Sequence, residues 1–140
     1  MPTVIKHFKR NLNSLAEVFD LLDHFVAEIM ADDQAKHALG LAVDELFTNM
    51  IKYHPSNQND ISIELQTEGD TIVLQMVDRD VEPFDLTQRP DPDLSGSLHD
   101  RQPGGLGIFL LKQLMDDVVY RYDDRTSTIT LKKNFRRNNV

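Results

Sequence analysis

Apolar positions along this 140-residue chain alternate between helical and strand rhythms. After a short run over 3–8 that reads as an edge strand, Ala16, Val18, Phe19, Leu22, Phe25, Val26 and Ile29 mark one buried stripe of a helix. Asn13 and Ser14 stand where its cap is expected. A second helix begins at Asp32 or Asp33 and runs through Ala38, Ala42, Leu46 and Met50 to about Tyr53. His54-Pro55 ends it, because proline pushes the residue before it out of helical geometry. Residues 61–65 alternate strictly and 71–77 form a second strand across the turn Gly69-Asp70, which together predict a hairpin. The stretch 82–103 is proline-rich, acidic and poor in apolar residues. A loop of about twenty residues inside a compact domain is either a functional lid or a disordered segment, and a flexible lid is expected here. From Gly104-Gly105 a helix on Leu106, Phe109, Leu110 and Leu114 extends to about Asp116. A last hairpin follows, 118–122 and 128–133 around Asp123-Asp124, and then a polar tail over 134–140 that is expected to fray.

This order places helices on one face of a mainly antiparallel sheet, an α+β two-layer sandwich. One domain over 1–140 suits the length, and 40% apolar residues are enough for a packed core. No internal repeat and no low-complexity segment is present.

Charge narrows the range of partners. Against 15 Lys+Arg stand 23 Asp+Glu, for a formal net charge of -8, which disfavours nucleic acid and anionic membrane surfaces. There is no cysteine, hence neither disulfide nor thiolate metal site. No apolar run approaches the roughly 18 residues of a membrane span and the first residues carry no apolar leader, so the cytoplasm is the expected compartment. The five histidines show no metal-binding spacing, and no G-x-S-x-G elbow supports a hydrolase triad.

Three groups of residues carry candidate chemistry. In Arg101-Gln102-Pro103-Gly104-Gly105-Leu106-Gly107, three glycines open an apolar helix, where close backbone approach and the first helical N–H groups suit a phosphate. The spacing is neither the dinucleotide fingerprint nor a P-loop, and the same glycines would also serve a plain tight turn. On the second helix Glu45 and Asn49 are four apart at the border of the apolar face. A carboxylate there can act as general base, and an amide oxygen suits a hard cation such as Mg2+; an ordinary amphipathic helix also carries such residues. At the end of the 71–77 strand stand Asp78 and Asp80, either a hydrogen-bond acceptor for an exocyclic amine or simple turn acids.

Taken together and in this order, the helix motif E-L-F-T-N with Lys52-Tyr53, the strand-end acid, the long loop and R-x-P-G-G-L-G-I-F-L-L-K-Q-L-M-D resemble the Bergerat-fold (GHKL) ATPases, the superfamily of gyrase, histidine kinases and MutL. Within it the chain is similar to the short, free-standing anti-sigma factors, which are serine/threonine protein kinases. The resemblance runs from about Phe8 to Lys133 and implies ATP and Mg2+ as cofactors. By position it implies Glu45 as general base and Asn49 as the Mg2+ ligand. Asp78 would take the adenine amine, with Asp80 as the alternative. Gly104, Gly105, Leu106 and Gly107 would lie at the phosphates, with Arg101 in reach, and Ser127 would stand where the family has a Thr or Asn near the base. One stretch departs from the family pattern: Asp78-Arg79-Asp80-Val81-Glu82-Pro83-Phe84-Asp85 lacks the usual glycine, which leaves both acids as candidates.

The implied activity is Mg-ATP-dependent phosphorylation of a small anti-sigma-antagonist domain, whose unphosphorylated form releases a sigma factor or other target in a partner switch. Members of this branch commonly form homodimers, for which the first strand and its helix offer a surface. The competing expectation, prompted by the altered strand end, is a non-catalytic module that sequesters a partner with weak ATP binding or none. A histidine-kinase catalytic domain is the less expected relative, since no phosphoacceptor-histidine helix is seen.

Overall fold

A computed structural model of the chain describes residues 3–85 and 105–136, and in the first turn of the last helix it describes side chains from Gly107 onward. Five strands form one antiparallel sheet: β1 (Thr3–Phe8), β2 (Ile61–Glu68), β3 (Thr71–Arg79), β4 (Asp117–Asp123) and β5 (Thr126–Asn134). Their order across the sheet is β1-β2-β3-β5-β4, so β1 is an edge strand as its position in the sequence suggested. Three helices, α1 (Leu15–Glu28), α2 (Asp33–Tyr53) and α3 (Gly105–Leu114), make the second layer. Helix α2 contacts both of the others and is the middle of that layer. The expected α+β two-layer sandwich is therefore the observed fold.

The strand faces explain the layering. Ile61, Ile63 and Leu65 of β2, Ile72, Leu74 and Met76 of β3, and Ile129 and Leu131 of β5 are fully or almost fully buried, as period-two positions facing the helices must be. The α2 stripe is Ala35, Ala38, Leu39, Ala42, Val43, Leu46, Phe47, Asn49 and Met50. Asn49 is its single polar member.

Helix ends differ in detail from expectation. Ser14 takes the expected N-cap position of α1 without a capping side-chain bond; a short 3-10 turn, Leu12–Ser14, precedes the helix, and Asn11 caps that turn by accepting from the Ser14 amide at 3.1 Å. Ser14 Oγ instead donates to the Lys9 carbonyl at 2.7 Å. Asp32 caps α2, its Oδ1 accepting from Ala35 N at 2.8 Å. The last hairpin turns one residue later than predicted, on Asp124 and Arg125, because Asp123 still pairs with Thr126. Both turn residues are left-handed (φ 48° and 56°), as a two-residue hairpin loop requires.

The tail begins later than expected as well. Asn134 closes β5, and Phe135 is buried, its N–H donating to Asp70 O at 2.9 Å while its carbonyl accepts from Asp32 N at 3.0 Å. Of the predicted lid, Glu82 to Asp85 are irregular, with the Phe84 ring on Tyr53 at 4.9 Å between centroids. Residues 86–103 lie outside the described residues, as do 137–140 of the tail.

Candidate functional site

Burial of an amide on α2 is costly unless its hydrogen bonds are met, by roughly 1–3 kcal/mol. Asn49 meets the cost one turn back: Nδ2 donates to the Glu45 carbonyl at 2.7 Å and to Glu45 Oε1 at 2.8 Å. The carboxylate is thereby fixed at the edge of the helix layer, half-buried. It rests against the first turn of α3. A β-carbon placed on Gly107 would overlap Cδ and both carboxylate oxygens of Glu45. The absent side chain at 107 is what lets the carboxylate seat there. Glu45, Asn49 and Gly107 are thus brought together from two helices.

Asp78 is the second centre. It lies on the helix-facing side of β3, 1% exposed, directly opposite Ser127 of β5, itself buried. Its Oδ1 is ion-paired with Arg10 Nη2. Arg10 also donates from Nη1 to the Met50 carbonyl at 2.9 Å and from Nε to the Asn59 carbonyl at 3.2 Å. Met50 O is among the last carbonyls of α2, which have no partner within the helix and sit at its negative end. Arg10 therefore ties the end of β3 to the end of α2. Burial pushes the Asp78 carboxyl above its ordinary value of 3.8, while the charge and hydrogen bond of Arg10 and the charge of His54 act the other way.

Asp80 is placed apart from these residues. Its side chain is mostly exposed and ion-paired with Arg125 at 2.9 Å; Arg125 also reaches Glu82 at 3.2 Å. Its backbone is left-handed (φ 59°), so at the position where the family stretch has glycine, aspartate adopts the conformation that glycine would supply. Asn57 Nδ2 donates to the carbonyls of Arg79 and Asp80, and the buried Val81 receives the Tyr122 hydroxyl on its carbonyl. A cavity of ≈ 370 Å³ opens beside this turn between Tyr53, His54, Asn57, Asp80, Val81 and Arg125, and it does not reach Glu45 or Asn49. Replacing Asp80 by glycine is expected to leave stability unchanged or to raise it by up to about 1 kcal/mol, since only an exposed ion pair is lost. Valine there should cost about 1–2 kcal/mol, because a β-branched residue resists positive φ. Denaturant midpoints of the two variants check both values.

Gly105 and Leu106 form the opening turn of α3, while Arg101 and Gly104 lie outside the described residues. Among the described residues no cluster of three His, Asp or Glu is arranged for a metal ion, and no helix is long and apolar enough to cross a membrane. Sequence reading overlooked Arg10. A basic residue just after an edge strand looks like any solvated one, and the only clue was that a strand-end acid facing the core needs a counter-charge.

Proteins similar in sequence and others similar in fold are known. The serine-protein kinase RsbW of Listeria monocytogenes is 31% identical over 105 residues, 71% of this chain and 66% of its own. The serine/threonine-protein kinase BtrW of Bordetella bronchiseptica is 28% identical over 112 residues, 79% of this chain and 78% of its own. The chain thus spans just under two thirds of the first of these relatives. The structure of the RsbU and RsbW domains of Rv1364c from Mycobacterium tuberculosis superposes with a TM-score of 0.71 at 16% identity, over 98% of this chain and 33% of that one. The SiaB-SiaC complex from Pseudomonas aeruginosa contains a chain that matches with a TM-score of 0.65 at 12% identity, over 93% of this chain and 87% of its own, a likeness of fold. The family profile for the histidine kinase-like ATPase domain matches residues 8–133. With helix α2, the strand end at Asp78 and the opening of α3 all inside that span, the chain belongs to the histidine kinase-like ATPase domain family.

Proposed function

We propose that this chain is an Mg-ATP-dependent serine/threonine protein kinase that acts as an anti-sigma regulatory factor, phosphorylating a small anti-sigma-antagonist domain in a partner switch. The observation that carries this reading is the Glu45–Asn49–Gly107 cluster, a carboxylate held by an amide against the glycine opening of α3. The kinase names of the RsbW and BtrW relatives support it.

The residues fit the cofactors. Among the described residues both side-chain hydrogen bonds of Asn49 are donated by its nitrogen, which leaves its oxygen as a hard donor for Mg2+, an ion that keeps several waters and takes few protein ligands. Bound Mg-ATP would supply the phosphoryl group and neutralise charge at the point of transfer. Glu45 would take the proton from the attacking serine or threonine hydroxyl. Asp78, with Ser127 opposite, would receive the adenine amine. Gly104, Gly105, Leu106 and Gly107 would approach the phosphates, with Arg101 in support. Asp80, exposed and paired with Arg125, takes no part in this reading. Phosphorylation adds about two negative charges to the antagonist. Against a chain of net charge -8 that addition drives the complex apart, freeing this chain to hold a sigma factor or other regulator in the cytoplasm.

Titration calorimetry with ATP, with and without Mg2+, tests the site. The expected result is Mg-dependent binding that Asn49→Ala abolishes. No binding by the folded wild type would sink the kinase reading and leave a partner-sequestering module. Gly107→Ala gives an independent check. Alanine is the better helix former by about 1 kcal/mol, and the displaced Glu45 carboxylate is the free end of a flexible side chain. Thermal stability should therefore hold or rise while phosphoryl transfer falls at least about tenfold, since general-base catalysis needs the base within hydrogen-bond reach.

A further inference from the structure

Asp78 is an unusual acceptor in that it is buried and already holds a cation. A carboxylate so enclosed favours its protonated form, and a protonated carboxyl donates a hydrogen bond where an ionised one can only accept. The groups that face it are Arg10 from the segment after β1, His54 from the end of α2, Ser127 in register on β5 and Ile61 in register on β2. Of these only Arg10 carries a permanent charge, and it is built in. Its side chain is 4% exposed and its three hydrogen bonds go to Asp78 Oδ1, Met50 O and Asn59 O. Oδ2 of Asp78 makes no hydrogen bond among the described residues.

We propose that Arg10 is a positioning residue for base recognition: by fixing one oxygen of Asp78 in an ion pair tied to the end of α2, it keeps the other an ionised acceptor. A base that meets that oxygen is then selected for an exocyclic amine over a carbonyl at the same place. This rests on the reading that Asp78 meets the base. Arg10 itself touches no ligand in this scheme. Its guanidinium suits the task because one planar group reaches a carboxylate and two carbonyls at once, which an ammonium on the same stem cannot.

The test compares affinities for Mg-ATP and Mg-ITP, whose bases differ by an amine against a carbonyl, in the wild type, Arg10→Gln and Arg10→Lys between about pH 6 and about pH 8. Taking the ratio of the two nucleotides cancels the titration of their shared triphosphate. The wild type should prefer ATP by a ratio that is flat with pH. In Arg10→Gln the ratio should shrink by about tenfold or more towards the acid end, where Asp78 takes up a proton and offers a donor to the carbonyl base. Arg10→Lys restores the charge and should restore the flat profile, even if the protein melts earlier. Melting curves without nucleotide show that each variant is folded, and a poorly folded Arg10→Gln leaves the Lys profile to decide: a lysine ratio that collapses towards acid overturns the idea.

A pH-independent ratio in Arg10→Gln also overturns it, as does tighter ATP binding by that variant, which would make Arg10 a competitor for the base. Asp78→Asn separates the two levels of the argument. If the wild type binds ATP and Asp78→Asn binds it equally well with the same preference, Asp78 does not meet the base and the underlying assignment has failed. If Asp78→Asn loses the preference and Arg10→Gln keeps it, the role of Arg10 alone has failed.

Discussion

Glutamine at position 45 is expected to slow phosphoryl transfer by about 10²–10⁴-fold, the range that a positioned general base contributes. ATP affinity should scarcely move. The separation follows from the hydrogen bond between Asn49 Nδ2 and Glu45 Oε1. The glutamine side chain still offers an oxygen to that amide, so Asn49 keeps its orientation and its own oxygen remains available to Mg2+. Only proton acceptance is lost. Alanine at 45 would act differently, since it frees Asn49 inside the helix layer and should weaken Mg-ATP binding as well as transfer. Single-turnover transfer to a purified antagonist domain, beside calorimetry on the same samples, reads the two effects apart. Equal rates for wild type and Glu45→Gln would remove Glu45 from catalysis and point to substrate-assisted proton transfer.

The largest effect on stability is expected from Phe135→Ala. This ring is 3% exposed in the main core, and truncating a buried phenylalanine costs about 3–5 kcal/mol. For a domain of this size that corresponds to a fall in Tm of the order of 10–20 °C. Phe135 also joins two distant loops through its backbone, to Asp70 at the β2–β3 turn and to Asp32 at the head of α2. Those bonds survive the substitution, so the variant should unfold earlier but still in one cooperative step. A loss below about 1 kcal/mol, the size of an ordinary surface substitution, would mean that the ring packs far more loosely than its burial indicates.

The two long helices and the strands were legible because their rhythms are strong. The three-and-four spacing of Val18, Leu22, Phe25 and Val26, and the alternation of Ile61, Ile63 and Leu65, each place one face in the core. Ser14 does stand at the N-cap of α1, but its hydroxyl makes no capping bond there; the capping side chain is that of Asn11, at the head of the tighter turn Leu12–Ser14, which has no signal in the helical spacing. Phe135 was missed because one aromatic residue in a polar tail has no period to reveal it. In the site, Glu45 and Asn49 could be paired from spacing alone, and the glycine opening of α3 could be matched to them by family resemblance. The contact between Gly107 and Glu45 could not be foreseen, since it depends on how closely α3 approaches α2. The choice between Asp78 and Asp80 was closed to the sequence for a similar reason. Alternation alone puts both acids on one face; in the structure Asp78 shares the inward face with Leu74 and Met76, while β3 ends at Arg79 and Asp80 has left the sheet in a left-handed turn.

Strand order has a consequence for how the chain comes into being. β5 follows the other four described strands in the sequence, yet it lies between β3 and β4 and joins them. Until residues 126–134 emerge, β3 has a bare edge carrying Ile72, Leu74 and Met76, three residues that end up wholly enclosed. A nascent or truncated chain ending before Thr126 would present that apolar edge to whatever it meets, and such edges recruit other strands. Closure of the sheet therefore waits on residues 126–134, and stops or deletions within them should lower folding yield without touching the Glu45–Asn49 pair directly.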